Sequence, residues 1–186
     1  MEKLELTGRP REKRRGLLLN ITGDGKGKST AAFGTLFRAL GYGWQAAVVQ
    51  FIKDGRPTGE AAMAARLPEQ LRWHRCGGGF SFRPGADAAA DRQLAFDGWR
   101  LAQSYLAGGD VDLLILDELN IALQLNWLDL AAVVDALQRR PAWLHVIVTG
   151  RNAPAALLDI SDLVSEIKDV RHPYAKGIAA QPGIDF

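Results

Sequence analysis

The sequence is poor in the features that mark secreted, membrane-spanning and strongly nucleic-acid-binding chains. Cys76 is its only cysteine, so no disulfide can form within the chain. No apolar run approaches the roughly 20 residues that a membrane-spanning helix needs. The formal net charge is only +2, which is too small to indicate a nucleic-acid partner, and the first residues lack a signal-peptide core. We therefore expect a cytoplasmic protein that binds neither membrane nor nucleic acid.

The composition that remains is typical of one globular domain. Of 186 residues, 47% are apolar and 24% are charged. Residues 9–15 read RPREKRR, with five cations in seven residues. Such a run is either a solvated tail or a short arm that steers an anion or contacts nucleic acid. We divide the chain into a basic N-terminal arm over residues 1–15 and a single domain over residues 16–186.

Short apolar runs alternate with longer segments of helical spacing. Strands are predicted at 17–22, 46–52, 71–76, 112–118, 144–149 and 163–167. Helices are predicted at 28–40, 59–67, 88–107 and around 130–137, the first of them with Phe33, Leu36, Phe37 and Leu40 on one face. Strands that are apolar on both faces and separated by helices favour a parallel sheet covered on both sides. The predicted fold class is α/β, with about six mostly parallel strands.

A glycine-rich loop, TGDGKGKST, lies between the first predicted strand and the first helix. Its GKS at 27–29 matches the end of the P-loop pattern, but Thr22 replaces the first glycine and Gly23 stands one place later. Backbone N–H groups and the helix N-terminus attract phosphate, Lys28 adds a positive charge, and Ser29 offers a hydroxyl to Mg²⁺. The predicted nucleotide-binding residues are Gly23, Asp24, Gly25, Lys26, Gly27, Lys28, Ser29 and Thr30.

Asp117 and Glu118 end the fourth predicted strand, where P-loop proteins carry the carboxylates on the metal side. Adjacent side chains of an extended chain point to opposite sides, so one carboxylate can face the nucleotide. Spacing leaves open which of the two reaches Mg²⁺, and an acidic pair at a helix N-terminus is the alternative interpretation. With the loop, the pair predicts binding of Mg²⁺ and a nucleoside triphosphate. A hydrolase, a kinase and a group transferase all fit these residues.

With these residues placed, the chain resembles the P-loop corrinoid adenosyltransferases. The resemblance extends from Gly16 to Phe186 and rests on six separated blocks. They are TGDGKGKSTAAFG at 22–34, VVQFIK at 48–53, GGFSF at 78–82, LDELNIAL at 116–123, VTGRNAP at 148–154 and HPYAKGIAAQPGIDF at 172–186. The resemblance implies a RecA-like P-loop domain that works as a homodimer and receives electrons through a flavoprotein partner. It also implies ATP and a corrinoid as substrates.

The implied reaction makes a Co(I) corrinoid attack the 5′ carbon of ATP, forming a Co–C bond and releasing triphosphate. The loop then holds a leaving group, whose growing charge Lys26 and Lys28 would stabilise. Phe80 and Phe82 stand where the family has an aromatic pair beside the lower face of the corrin, although the second position is commonly Trp. We therefore predict Lys28, Phe80 and Phe82 as catalytic residues. Arg151 is expected to contact ribose or phosphate, with a surface salt bridge as the alternative.

Two other functions share part of this pattern. A P-loop ATPase or kinase would use the same lysine, serine and acidic pair, would release ADP, and gives no role to the GGFSF block. A non-catalytic, nucleotide-dependent binding module could contact RNA through the basic arm, and its binding would weaken steeply with salt. The product formed from ATP therefore distinguishes the first alternative, and a salt titration with RNA distinguishes the second.

Overall fold

Six parallel strands form the centre of the computed structural model, which describes residues 10–53, 58–79 and 87–185. In chain order they are β1 (Leu18–Thr22), β2 (Ala46–Gln50), β3 (Leu71–Arg75), β4 (Leu113–Asp117), β5 (His145–Thr149) and β6 (Leu163–Glu166). Their order in the sheet is β3-β2-β4-β5-β1-β6, and every pairing is parallel. The predicted α/β fold class and all six predicted strands are confirmed, with ends shifted by one or two residues.

Six α-helices connect the strands within the described residues. They are α1 (Lys28–Gly41), α2 (Gly59–Ala64), α3 (Ala88–Gly108), α4 (Leu119–Gln124), α5 (Leu130–Gln138) and α6 (Ala155–Asp159). The side chains of Asp87 and Asp129 accept backbone N–H groups at the starts of α3 and α5, which fixes where these two helices begin. The sequence analysis missed α4 and α6 and placed the end of α2 three residues too late, because helices of five or six residues are too short to show a full apolar stripe. Within residues 10–53, 58–79 and 87–185, none of the helices combines the length and the hydropathy of a membrane span.

The two faces of the sheet bury separate apolar clusters. On one face Leu36 of α1 packs with Val48 of β2, and on the other Trp99 of α3 packs with Val49, because successive strand residues point to opposite faces. The four apolar residues that helical spacing groups on one face of α1 differ in burial, since Phe37 is 81% exposed and Leu36 is 4% exposed. Helical spacing alone did not distinguish the two sides of α1, whose face toward the sheet is centred on Ala32, Leu36 and Ala39. The strand β6 also departs from the expected burial, because all four of its residues are exposed at the sheet edge.

The described part of the basic arm, residues 10–15, lies at the amino end of the sheet. Arg11 Nε and Arg14 Nη1 donate to Asp112 Oδ1 at 2.7 and 2.9 Å, and Asp112 Oδ2 accepts the backbone N–H of Gln45 at 2.9 Å. The Arg14 guanidinium also lies 4.4 Å from the centre of the Trp44 ring. These two cations are therefore bound at the end of the sheet opposite the phosphate loop.

Candidate active site

The phosphate loop joins the carboxyl end of β1 to the first turn of α1. Gly27 occupies the position before the helix with φ of 123°, a conformation that favours glycine. Lys28 begins the helix, is only 7% exposed, and donates from Nζ to the Gly25 carbonyl at 2.7 Å. Burial lowers the pKa of Lys28, while the negative charge of Glu118 acts in the opposite direction. A buried cation therefore lies against the loop at the positive end of a helix, which is the arrangement that binds phosphate.

Two glycines of the loop are also required by the protein's own backbone. The Gly25 N–H donates to the Ile167 carbonyl at 2.8 Å, and a Cβ at Gly25 would lie 2.5 Å from the Lys168 carbonyl oxygen. A Cβ at Gly23 would lie 2.4 Å from the Ile167 carbonyl oxygen, and φ at Gly23 is 99°. The chain that leaves β6 therefore passes directly against the loop. Sequence reasoning assigned these glycines to phosphate alone and had no signal for this contact.

The C-terminal segment returns to the same loop. Lys26 forms an ion pair with Asp185, whose Oδ2 accepts the Gln181 N–H at 2.7 Å. The hydrogen bond from Lys26 and this N–H hold the pKa of Asp185 below its ordinary value. The neighbouring Ile184 lines an apolar groove of about 430 Å³, which is also lined by residues of α1, α2 and β3, Phe33 among them. The predicted phosphate ligand Lys26 thus has a carboxylate partner that the sequence did not reveal.

The first residue of the acidic pair, Asp117, is completely buried at the end of β4. Thr149 Oγ1 donates to its Oδ1 at 2.8 Å, and Gln50 Nε2 donates to its Oδ2 at 2.8 Å. The ammonium group of Lys53 lies 3.4 Å from the same Oδ2. Both carboxylate oxygens are therefore occupied by donors from the protein itself.

The second residue, Glu118, stands in a different conformation and environment. Its φ of 63° ends the strand, so the expectation that the two carboxylates alternate along an extended chain is wrong. Its carboxylate accepts no hydrogen bond from any residue in the described ranges. Burial raises the pKa of Glu118 and the charge of Asp117 adds to this, whereas Lys28, Lys53 and Arg151 act to lower it. Glu118 therefore shares the electrostatic environment of the phosphate-loop lysine.

The residues that follow β5 lie beside the phosphate loop and Glu118. Arg151 Nη2 donates to the Asp24 carbonyl of the phosphate loop at 3.1 Å, and no carboxylate among the described residues forms a salt bridge with it. A Cβ at Gly150 would lie 3.2 Å from Glu118 Oε2, so glycine allows β5 and Glu118 to approach each other. Ser29 and Thr30 follow Lys28 in the first turn of α1. Phe80 and Phe82 lie outside the described residues.

Two polar residues inside the sheet were missed by the sequence analysis. Gln50 and Thr149 end β2 and β5 and are at most 1% exposed, yet both contact Asp117. A comparable buried pair, Asn20 and Asn120, links β1 to α4 through a 3.0 Å hydrogen bond. The available signal was a polar residue within an otherwise apolar strand, because a buried polar group needs a partner.

The oxygen donors fit a magnesium ion that is bound together with a nucleotide. Mg²⁺ in such sites is held by one or two carboxylates or hydroxyls, with phosphates and water completing its shell. Ser29 and Glu118 supply this kind of donor. Across residues 10–53, 58–79 and 87–185, no three His, Cys, Asp or Glu side chains form a metal-binding cluster.

The sheet order, the loop after β1 and the acidic end of β4 define a P-loop nucleotide-binding protein of the α/β class. Among solved structures, the flagellar accessory protein FlaH from Methanocaldococcus jannaschii matches with a TM-score of 0.54 and 16% identity. The match covers 82% of this chain and 71% of that one. A likeness at this identity shows a common fold and carries no conclusion about substrate.

Sequence comparison identifies the family. The model of the family ATP:corrinoid adenosyltransferase BtuR/CobO/CobP matches residues 14–186. A corrinoid adenosyltransferase of Pseudomonas aeruginosa is 45% identical over 172 residues, which cover 92% of this chain and 84% of the relative. Corrinoid adenosyltransferase CobA of Salmonella typhimurium is 38% identical over 175 residues, covering 94% and 88%. The chain belongs to the ATP:corrinoid adenosyltransferase family, and the resemblance seen in its six blocks is confirmed.

Proposed function

We propose that this chain transfers the 5′-deoxyadenosyl group of ATP to the cobalt of a Co(I) corrinoid, in the biosynthesis or salvage of adenosylcobalamin. Family membership supports the reaction, and the observation that carries it here is the phosphate loop with buried Lys28 and nearby Glu118. The loop would hold the triphosphate of ATP at the carboxyl edge of the sheet. The reacting 5′ carbon would then be fixed relative to the corrinoid, which is the main requirement of the reaction.

The proposed chemistry uses charge stabilisation and needs no nucleophile from the protein. The cobalt of the substrate supplies the electron pair of the new Co–C bond, and the C5′–O bond breaks with its electrons leaving on triphosphate. No proton has to move, so no general base is required. Lys28 and the N-terminus of α1 would stabilise the leaving triphosphate. Lys26 and Arg151 are proposed as further contacts to phosphate or ribose. To make these contacts, Lys26 would have to leave Asp185, and Arg151 would have to leave the Asp24 carbonyl.

We assign the magnesium contacts to Ser29 and Glu118. Asp117 is a poor candidate for direct coordination, because its two oxygens already accept from Thr149 and Gln50 and one lies beside Lys53. When bound, Mg²⁺ would neutralise part of the negative charge on the triphosphate. Glu118 is only partly exposed, and its carboxylate carries no competing hydrogen bond within the described residues.

The corrinoid side of the proposal rests on the resemblance. Phe80 and Phe82 are proposed to form the aromatic wall beneath the corrin, which excludes the lower axial ligand and leaves cobalt easier to reduce. A homodimer, a flavoprotein reductant and a cytoplasmic location are likewise proposed from the family. Light scattering of the purified chain tests the dimer, since a monomer at micromolar concentration would contradict it.

An anaerobic assay tests the function directly. Protein, Mg²⁺, ATP and chemically reduced cob(I)alamin are mixed, and visible absorbance and phosphate products are followed together. We expect a light-sensitive adenosylcobalamin spectrum with one triphosphate for each Co–C bond. A parallel assay with incomplete corrinoids covers the case of a different acceptor. Release of ADP without any Co–C product, with complete and incomplete corrinoids alike, would favour a P-loop ATPase or kinase instead.

A further inference from the structure

A continuous chain of hydrogen bonds passes through the Asp117 carboxylate and links neighbouring strands of the sheet. Trp73 Nε1 donates to Gln50 Oε1 at 3.0 Å, and Gln50 Nε2 donates to Asp117 Oδ2 at 2.8 Å. On the other side of the carboxylate, Thr149 Oγ1 donates to Asp117 Oδ1 at 2.8 Å and accepts the backbone N–H of Glu118 at 3.0 Å. The chain crosses four neighbouring strands, β3, β2, β4 and β5, and ends on the backbone of Glu118.

The donors at the two ends determine the direction of every bond in this chain. The indole of Trp73 can only donate, so Gln50 must turn its oxygen to Trp73 and its amide NH₂ to Asp117. The backbone N–H of Glu118 can also only donate, so the hydroxyl of Thr149 must accept from it and give its single proton to Asp117. Asp117 therefore accepts at both oxygens and is the negative centre of a network with no alternative arrangement.

The network also holds an unfavourable backbone conformation. Glu118 has φ of 63°, which a residue with a Cβ adopts only when its surroundings impose it. Its N–H is held by Thr149, and its carbonyl accepts the Ile121 N–H at 3.1 Å at the start of α4. Because the preceding Asp117 carbonyl also accepts the Phe51 N–H at 3.0 Å, the backbone is fixed on both sides of the turn.

We infer that Thr149 and Gln50 are positioning residues that hold Asp117 away from the metal and present the carboxylate of Glu118 to Mg²⁺ bound with triphosphate. The inference rests on the proposed function, since it concerns the same metal site. Thr149 acts most directly, because its one hydroxyl joins the Asp117 carboxylate to the Glu118 backbone. Gln50 acts through Asp117 alone, and Lys53 would still contact Asp117 Oδ2 in its absence.

Calorimetric titration of the full chain with ATP, in excess Mg²⁺ and in excess EDTA, tests this inference without turnover. The ratio of the two dissociation constants is the magnesium gain in affinity. We expect Thr149→Val, which keeps the side-chain shape and removes the hydroxyl, to lower this gain about tenfold or to abolish it. Thr149→Ser keeps the hydroxyl and is expected to retain the gain within about threefold. Gln50→Met is expected to lie between wild type and Thr149→Val.

The possible results separate the inference from the function on which it rests. A wild-type chain with no magnesium gain would overturn the magnesium part of the proposed function. A wild-type gain that Thr149→Val retains in full would overturn the positioning inference alone. Equal losses in Mg²⁺ and EDTA would also overturn it, and so would equal losses in the Val and Ser variants, since a general disturbance of the site would then explain the result without any special role of the hydroxyl. If Thr149→Val does not fold, Gln50→Met decides by the same ratio.

Discussion

Two aspartates flank the same buried strand, and their partners differ in kind. Asp112, just before β4, is 5% exposed and binds two guanidinium groups and a backbone N–H at the amino end of the sheet. Asp117, at the carboxyl end, is fully buried and takes its hydrogen bonds from a neutral amide and a neutral hydroxyl. The first arrangement holds Arg11 and Arg14 of the basic arm against the amino end of the sheet. The second holds the Asp117 carboxylate with neutral donors, so that Lys28 is not needed as its partner.

The difference shows how the positive charge of Lys28 is kept out of a close ion pair within the protein and can act on a bound anion. Had Lys28 formed a close ion pair with Asp117, its charge would be largely neutralised before any triphosphate arrived. Lys28 instead donates to a backbone carbonyl, and Asp117 is satisfied mainly by neutral donors. Buried charges need partners, and here most of the partners are uncharged. At the carboxyl end, the ammonium group of Lys28 therefore contacts a neutral carbonyl. At the amino end, by contrast, the guanidinium groups of Arg11 and Arg14 are both paired with the carboxylate of Asp112.

The largest expected effect would come from removing the positive charge of Lys28. Lys28→Ala should lower kcat/KM for adenosyl transfer by about 10³-fold, in line with loss of a strong donor to a developing anion. The folded state should persist, because a buried ammonium group is lost and not created. Steady-state kinetics and a thermal melt measure the two effects. Lys26→Ala, in the same loop but paired with Asp185, is the matched control and should lose less; wild-type turnover by Lys28→Ala would refute the comparison.

At the amino end we expect a large effect on stability and little on catalysis. Asp112→Asn should cost about 2 to 3 kcal/mol of unfolding free energy, below the roughly 3 to 5 kcal/mol of a fully buried pair because Arg11 is 35% exposed. The melting temperature should fall by roughly 5 to 10 °C. Asp135→Asn, which removes an exposed helical ion pair with Arg139, is the matched control and should cost less than about 0.5 kcal/mol. Equal losses in both variants would contradict the anchoring role.

The pH dependence of the unfolding free energy provides a second test of the ion pairs made by Asp112. Burial acts to raise the pKa of Asp112, but the hydrogen bonds from Arg11 and Gln45 and the arginine charges outweigh it and hold the pKa low. A lowered pKa means that the stabilisation is complete above the unfolded pKa of about 3.9 and is lost as pH falls through the folded pKa. The stability difference between wild type and Asp112→Asn should therefore be constant near neutral pH and shrink below about pH 4. Denaturant titrations measure it, and a difference that persists in acid would count against these pairs.

The smallest expected effect concerns the exposed C-terminal pair. Asp185→Asn should free Lys26 and lower KM for ATP by about two- to threefold, the size of effect expected for a solvent-exposed ion pair. The change should disappear at high salt, since exposed charges are screened. Steady-state kinetics at two salt concentrations measure it, with Asp169→Asn as an exposed acidic control in the same segment. A rise in KM would mean that Asp185 assists binding of ATP.

Contiguous patterns were the part of the site that sequence reasoning predicted well. The strand, loop and helix around Lys28 lie within a short stretch of chain, and each has a local signal: an apolar run, clustered glycines and helical spacing. The six blocks also sufficed to recognise the family. Helical spacing nevertheless grouped the exposed Phe37 with the buried Leu36, because it does not specify which side of an apolar helix meets the sheet. The exposure of β6 was missed because its edge position follows from the order of the strands.

By itself, the sequence determined the α/β class, the phosphate loop, the family and the presence of two carboxylates at the end of β4. Only the tertiary structure decided how those carboxylates differ. The partners of Asp117 are Gln50, 67 residues away, and Thr149, 32 residues away, and they meet only because β2 and β5 flank β4 in the sheet. The turn at Glu118 depends on the same assembly. Residue type is local information, whereas a hydrogen-bond network is created when distant strands are brought side by side.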